Sequence, residues 1–378
     1  MIPFNRPFLP EQALGYVAEA YRSGKVSGDG IFSRRCEDFF ASRYACSRAL
    51  LTTSCTDALE LAALLSEIRP GDEVILPSFT FVSTANAFAL RGARLVFVDS
   101  LPDHPNMDPA RVAEVVTERT RVIVPVHYAG VAVDMDPILE MAGRVNALVV
   151  EDAAQAVEAA YRGRPLGTLG HFGAFSFHET KNVHCGEGGL LAIRDPDRVD
   201  RAEILRDKGT DRSAFFRGEV DRYGWVDVGS SFLLSDILAA LLWAQLERLD
   251  EISARRFRIW ETYREALADL ERRGWATLPV VPPFARHNGH AFYLTLPDEP
   301  TRARLIAHLG ARGILAVFHY QSLHASRYFA GRHDGRALPN ADRFSDCLVR
   351  LPMFHDFAAD EQERVTTAVL DFFGIASP

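Results

Sequence analysis

Lys181 closes an alternating apolar run, Phe175-Ser176-Phe177-His178-Glu179-Thr180-Lys181-Asn182, and stands 29 positions after Asp152, an acid that ends another such run. A lysine amine can form an imine with an aldehyde, and a buried carboxylate can keep a heterocyclic nitrogen protonated. Together they point to a pyridoxal phosphate (PLP) site. Each residue also has a plainer reading: Asp152 could cap a helix over the following Ala153-Ala154-Gln155, and Lys181 could be a solvated turn residue.

Other residues fit the same chemistry. Ser54-Cys55-Thr56-Asp57 stands where a helix begins, and the unpaired N–H groups there can hold a phosphate or simply be capped by Ser54 or Thr56. Ser176 could add a hydroxyl. Phe79, Phe81 and Phe88 follow a strand end, and one of them could stack on a flat ring; core packing is the alternative. Gly186-Glu187-Gly188-Gly189 could let backbone approach a ligand or make a hairpin turn. The loop Lys25-Val26-Ser27-Gly28-Asp29-Gly30 lacks a full phosphate-binding motif and reads as a turn that could approach a phosphate. No His/Cys cluster has metal-ligand spacing, so no metal is expected.

The elements that must position these residues are legible from periodicity. Apolar runs at 73–77, 94–99, 122–126 and 147–152 read as strands, with helical patterns at 56–68, 83–90, 109–116 and 135–144. Strands alternating with helices predict a parallel sheet covered on both faces. After Asp152 come strands at 170–177 and 188–193, one long helix over 235–272, strand-like 290–296 and 314–318, and helices near 301–311 and 360–372. The expected organisation is a large, mostly parallel-sheet α/β domain over 1–250 and a smaller C-terminal α+β domain over 251–378.

Composition bounds the rest. With 48% hydrophobic and 24% charged residues the chain is an ordinary globular one, and a net charge of −8 argues against a general nucleic-acid binder. Five dispersed cysteines predict a reducing, cytoplasmic setting. The opening residues are not expected to be a signal peptide, and no apolar run predicts a membrane span.

Assembled, these motifs resemble the DegT/DnrJ/StrS sugar-nucleotide aminotransferases, fold-type-I PLP-dependent transferases. The likeness runs from Pro3-Phe4-Asn5-Arg6-Pro7 through Leu76-Pro77-Ser78-Phe79-Thr80-Phe81 and Glu151-Asp152-Ala153-Ala154-Gln155. It continues through the lysine run and Gly186-Glu187-Gly188-Gly189 to His319-Tyr320-Gln321-Ser322-Leu323-His324. Segments 178–182, 212–223 and 227–236 resemble the branch that aminates a 4-keto-6-deoxy sugar on dTDP. The resemblance implies that Lys181 holds PLP, that Asp152 meets the ring nitrogen, and that Gln155 meets the ring hydroxyl. It places Phe81 on the ring face and the N–H groups of Thr56 and Asp57, with Ser176, on the phosphate. Where many members present a partner-subunit asparagine to the phosphate, this sequence has the shorter Ser231. Lys25, Arg212 and Arg217 become candidates for a diphosphate, and His184, His319 and Tyr320 for the sugar. Glutamate as amine donor and a homodimer with shared active sites are implied too. Dehydratases of the family replace the lysine with histidine, so Lys181 argues for amino transfer. A PLP-binding sensor without turnover stays open, as does action on another sugar carbon or nucleotide.

Overall fold

In the computed structural model, which describes residues 1–375, seven strands form one sheet. They are β1 (Arg48–Thr52), β2 (Glu73–Pro77), β3 (Arg94–Val98), β4 (Thr120–Ile123), β5 (Leu148–Asp152), β6 (Phe172–Ser176) and β7 (Gly189–Ile193). Their order is β1-β7-β6-β5-β4-β2-β3. Only β7 runs against the rest: it pairs antiparallel with both β1 and β6, and the remaining pairings are parallel. All seven strands are thus placed with six C-terminal ends on one side.

The apolar runs explain themselves at this level. Ala49 and Leu51, Ile75, Val96 and Val98, Ile123, Val149, Phe175, and Leu190 and Ala192 enter one buried cluster. Their alternates Leu50, Val74 and Leu76, Phe97, Val122, Leu148 and Val150, Phe172 and Ala174, and Leu191 and Ile193 enter another on the opposite face. Successive side chains point to opposite faces, so a sheet covered on both sides needs both positions of each pair apolar. The helices Ile31–Tyr44, Met135–Arg144 and Asp236–Leu246 supply the first cluster; Cys55–Leu65 and Val82–Ala89 supply the second. A third cluster joins the helices Leu249–Arg272, Glu299–Ala311 and Ala359–Phe372 to the two-stranded pair Tyr293–Thr295 and Leu348–Arg350.

Two expectations are corrected. The single helix over 235–272 is two, Asp236–Leu246 and Leu249–Arg272. Nothing in the local composition breaks it; the chain turns at Glu247-Arg248 because the first half packs on the large sheet's helices and the second on the third cluster. At the start of the chain Ile2 joins the third cluster and exchanges backbone hydrogen bonds with Gly313 and Leu315. The segment expected as a strand over 314–318 makes only isolated bridges, Ile314 with Ile2 and Val317 with Arg350. No helix among the described residues is long and apolar enough to cross a membrane.

Beside the site, Glu151 shows how tightly β5 is held. Its carboxylate has no solvent exposure and accepts from the N–H groups of Gly167, Leu169 and Gly170 at 2.6–2.8 Å. His127 takes an N–H from Val133 on Nδ1, which leaves its Nε2–H to donate to Glu151 at 2.9 Å. Glu151→Gln turns one acceptor into a donor facing other donors. We expect it to cost about 3 kcal/mol or more of stability, measured by urea unfolding.

Candidate active site

A cavity of about 510 Å³ opens at the C-terminal ends of the parallel strands. Its walls follow β1 (Ser54, Cys55, Thr56), β2 (Thr80, Phe81) and β4 (Val126, His127), and include the ends of β5 (Asp152) and β6 (Ser176). Open α/β sheets bind ligands at this edge because the strand-to-helix turns converge there.

Asp152 and Lys181 line this same cavity. The Asp152 carboxylate is 6% exposed; Oδ2 accepts from Thr84 Oγ1 at 2.6 Å and Oδ1 from the Ala154 N–H at 3.1 Å. No helix follows it, so the Ala154 bond is a local turn contact rather than a helix cap. Thr84 donates to Asp152, so its 3.0 Å contact with Thr80 Oγ1 has Thr80 as donor. Thr84 is a residue sequence reading missed; a threonine inside a helix carries no signal of its own. Lys181 Nζ has no hydrogen-bonding or ionic partner among the described residues. Its neighbour Asn182 donates to the Asn288 carbonyl at 3.1 Å and meets His290 Nδ1 at 2.9 Å, which anchors the lysine turn to the loop before Tyr293–Thr295.

The helix Cys55–Leu65 begins at the cavity. Ser54 Oγ already accepts the Asp57 N–H at 3.1 Å, and the Asp57 carboxylate takes the Thr53 hydroxyl. Asp57 does not line the cavity, which leaves the N–H groups of Cys55 and Thr56 as the available anion donors. Thr56 Oγ1 donates to Ser83 Oγ at 2.7 Å, and both face the cavity with Ser176. Gly189 makes this cup possible: a Cβ on it would stand 2.3–2.4 Å from backbone atoms of Ser54 and Cys55. Gly189 thus lets strand approach helix, while Gly188 lines the cavity itself. Gly189→Ala should cost about 1–3 kcal/mol and weaken PLP retention, seen as a lower melting temperature and a smaller rise on adding PLP.

Phe81 presents a half-exposed ring to the cavity, 5.7 Å from that of Tyr320. Gln155 accepts the Ala129 N–H at 2.6 Å and offers Nε2 to Tyr320 Oη at 3.3 Å. His319 lines the cavity as well; burial, then the charges of Arg350 and Lys181, push it down to about 4.

Six candidates lie outside this cavity. Besides Asp57, His184 is buried and its Nε2 donates to the Phe8 carbonyl at 2.9 Å, a structural tie for the N-terminal arm. Lys25 sits on a loop that serves the helix Ile31–Tyr44. Asp236 fills that helix's N-terminus, accepting from Ser33 N at 2.7 Å and Phe32 N at 3.3 Å, and Gly30 leaves room for it. Arg217 is engaged by Glu203 and Glu219 at 2.6 and 2.7 Å, which hold its charge and raise its pKa. The Arg212 guanidinium covers the rings of Phe216 and Tyr223. Ser231 is exposed and bridges Asp207. Arg350, unsuspected from sequence, is buried and lines the cavity.

The residues present fit PLP: an N–H and hydroxyl cup for phosphate, an exposed aromatic face for a ring, a buried carboxylate for the ring nitrogen, and an unpartnered amine for the aldehyde, all in one cavity.

Comparison with known proteins agrees. The family model described as DegT/DnrJ/EryC1/StrS aminotransferase matches residues 8–370. The aminotransferase TlmJ from Streptoalloteichus hindustanus superposes with a TM-score of 0.90 at 31% identity, covering 99% of each chain. DesV of S. venezuelae does so at 0.89 and 32% identity, over 99% of this chain and 98% of its own. Spr1654 from Streptococcus pneumoniae, solved in PLP and PMP forms, shares 25% identity over 98% of this chain and 99% of its own, with TM-scores of 0.87 and 0.90.

Proposed function

This chain belongs to the DegT/DnrJ/EryC1/StrS aminotransferase family and is a PLP-dependent aminotransferase; on that premise we propose that it moves an amino group from glutamate to a nucleotide-linked 4-keto-6-deoxy sugar. The specific substrate proposed is dTDP-4-keto-6-deoxyglucose, giving dTDP-4-amino-4,6-dideoxygalactose, a building block for surface polysaccharide. The observation that carries amino transfer is the shared cavity of Asp152 and Lys181. The choice of sugar rests on the likeness of segments 178–182, 212–223 and 227–236 to that branch of the family.

In this reading Lys181 Nζ would hold the cofactor's aldehyde carbon, and Cys55 and Thr56 N–H with the Ser176 hydroxyl would hold its phosphate. Phe81 would cover the ring and Gln155 Nε2 would meet the ring hydroxyl. When bound, the cofactor supplies an electron sink and a carbon that carries the amine between substrates. Asp152, fixed by Thr84 and Ala154, keeps a proton on the ring nitrogen. The Lys181 amine would be the base for the proton on the donor carbon that bears nitrogen. In the return half-reaction the same group, protonated, would be the acid that faces the sugar carbon being aminated. His319 and Tyr320 face the cavity where a sugar would lie.

A cytoplasmic homodimer belongs to the same proposal, with a large unit to about residue 250 and a smaller one after it. Supporting the dimer, segment 212–228 lies away from the chain's own cavity and exposes Phe216 (70%), Trp225 (82%) and Val226 (55%). Lys25, Arg212, Arg217 and Ser231 would then act on a second copy's cavity. The test is NMR of the product from dTDP-4-keto-6-deoxyglucose and glutamate. A 4-amino-4,6-dideoxygalactose product supports the reading; unchanged keto sugar with PLP bound overturns the substrate.

A further inference from the structure

Arg350 ends the strand Leu348–Arg350 and is fixed from both sides. Its backbone lies opposite Tyr293 and exchanges hydrogen bonds of 2.7 and 3.1 Å with Val317. The side chain is 7% exposed and lines the cavity, its guanidinium over the Phe4 ring at 5.2 Å. Its one side-chain hydrogen-bond contact among the described residues is a 3.5 Å approach to His290 Nε2, and its Nε has no partner. No carboxylate among the described residues pairs with it.

The cavity's two carboxylates, Asp152 and Glu187, make no ion pair with it, and its titratable neighbours Arg256, His290 and His319 are basic. Arg256 lies behind it, with its donors committed to the carbonyls of Gly289 and His290 at 3.2 and 2.7 Å; burial, then the charge of Arg350, pushes it down to about 9. His290 and His319 are depressed by burial and by the charges of both Arg350 and Lys181. A desolvated guanidinium without a counter-ion is costly and is balanced by an arriving anion. The phosphate cup at Ser54–Thr56 has its own donors. The anion that Arg350 awaits therefore sits close to the reacting amine, since Arg350 and Lys181 line the same cavity. A planar, bidentate fork suits a carboxylate.

We propose that Arg350 binds the α-carboxylate of the amine donor, the anion that lies one carbon from the nitrogen being transferred. The proposal rests on glutamate being that donor. Arg350 is then a substrate-binding residue of the first half-reaction and is not used to recognise the sugar nucleotide.

The experiment separates the two halves. Holoenzyme carrying Arg350→Gln or Arg350→Lys is mixed with glutamate, and loss of the PLP absorbance is followed. In Arg350→Gln the apparent Kd for glutamate should rise on the order of 30-fold or more, with partial recovery in Arg350→Lys. The pyridoxamine form of each, given the sugar nucleotide, should keep its KM within about twofold, because that ligand does not meet the guanidinium. Wild-type enzyme should discriminate against glutamate α-amide, and Arg350→Gln should lose that discrimination. Unchanged glutamate affinity in a variant with wild-type PLP occupancy and melting curve would overturn the proposal, as would an equal rise for the sugar nucleotide. Should Arg350→Gln fail to fold, the donor series on wild-type enzyme decides: equal use of glutamate and its α-amide refutes the idea. The first half-reaction needs no sugar, so an incorrect sugar assignment leaves this result readable.

Discussion

Lys181→Ala protein should still take up PLP through the phosphate cup, yet turn over on the order of 10⁴-fold more slowly than wild type. One amine is asked to hold the aldehyde carbon and to move a proton in both half-reactions, and among the described residues no second lysine lines the cavity. The purified variant should show no absorbance of a lysine-bound cofactor, and borohydride should fix no PLP to the chain. Wild-type protein should be yellow, bleach with borohydride, and change spectrum on adding glutamate. A variant that turned over at the wild-type rate would remove Lys181 from the mechanism. A wild-type protein that bound PLP but left glutamate unconsumed would favour a sensor.

The second large effect is expected from Asp152→Asn. The buried carboxylate is the group placed to hold a proton on the ring nitrogen, and a neutral amide cannot balance that charge. Turnover should fall about 10²–10³-fold, the range seen when one fixed electrostatic partner of a transition state is removed. The fold should survive, since the Asn oxygen can still accept the Ala154 N–H while its amide donates to Thr84 Oγ1, whose hydroxyl can turn to Thr80 Oγ1 instead. Paired melting curves and single-turnover rates distinguish the outcomes. Equal losses of stability and rate would make Asp152 structural.

The strands were legible because the double-faced sheet leaves no polar alternates between residues 148 and 150 or 74 and 76. The same logic makes β1 hard to read: Arg48–Thr52 offers only three apolar residues between polar ends. The helix Ile31–Tyr44 did carry a signal, Phe32, Cys36, Phe40 and Tyr44 at every fourth position, all buried. Its charged outer face obscured that stripe. Within the site, Asp152, Lys181, Thr56, Phe81, Gln155 and Ser176 were found because strand ends announce themselves and the family motifs are local. Arg350 was not, because an arginine at a strand end means nothing until its burial is known. Lys25, His184, Arg212 and Arg217 were nominated by residue type alone, which is blind to the partners that already engage or shield three of them. Thr84 and Ser83 act through contacts made across the fold, for which a linear pattern has no mark.

Asp236 has one further consequence. By seating its own buried carboxylate on the helix Ile31–Tyr44, the chain satisfies N–H groups that no water can reach. Removing that acid should therefore strand two donors in the interior, and the cost should appear as a lower melting temperature that added salt does not restore.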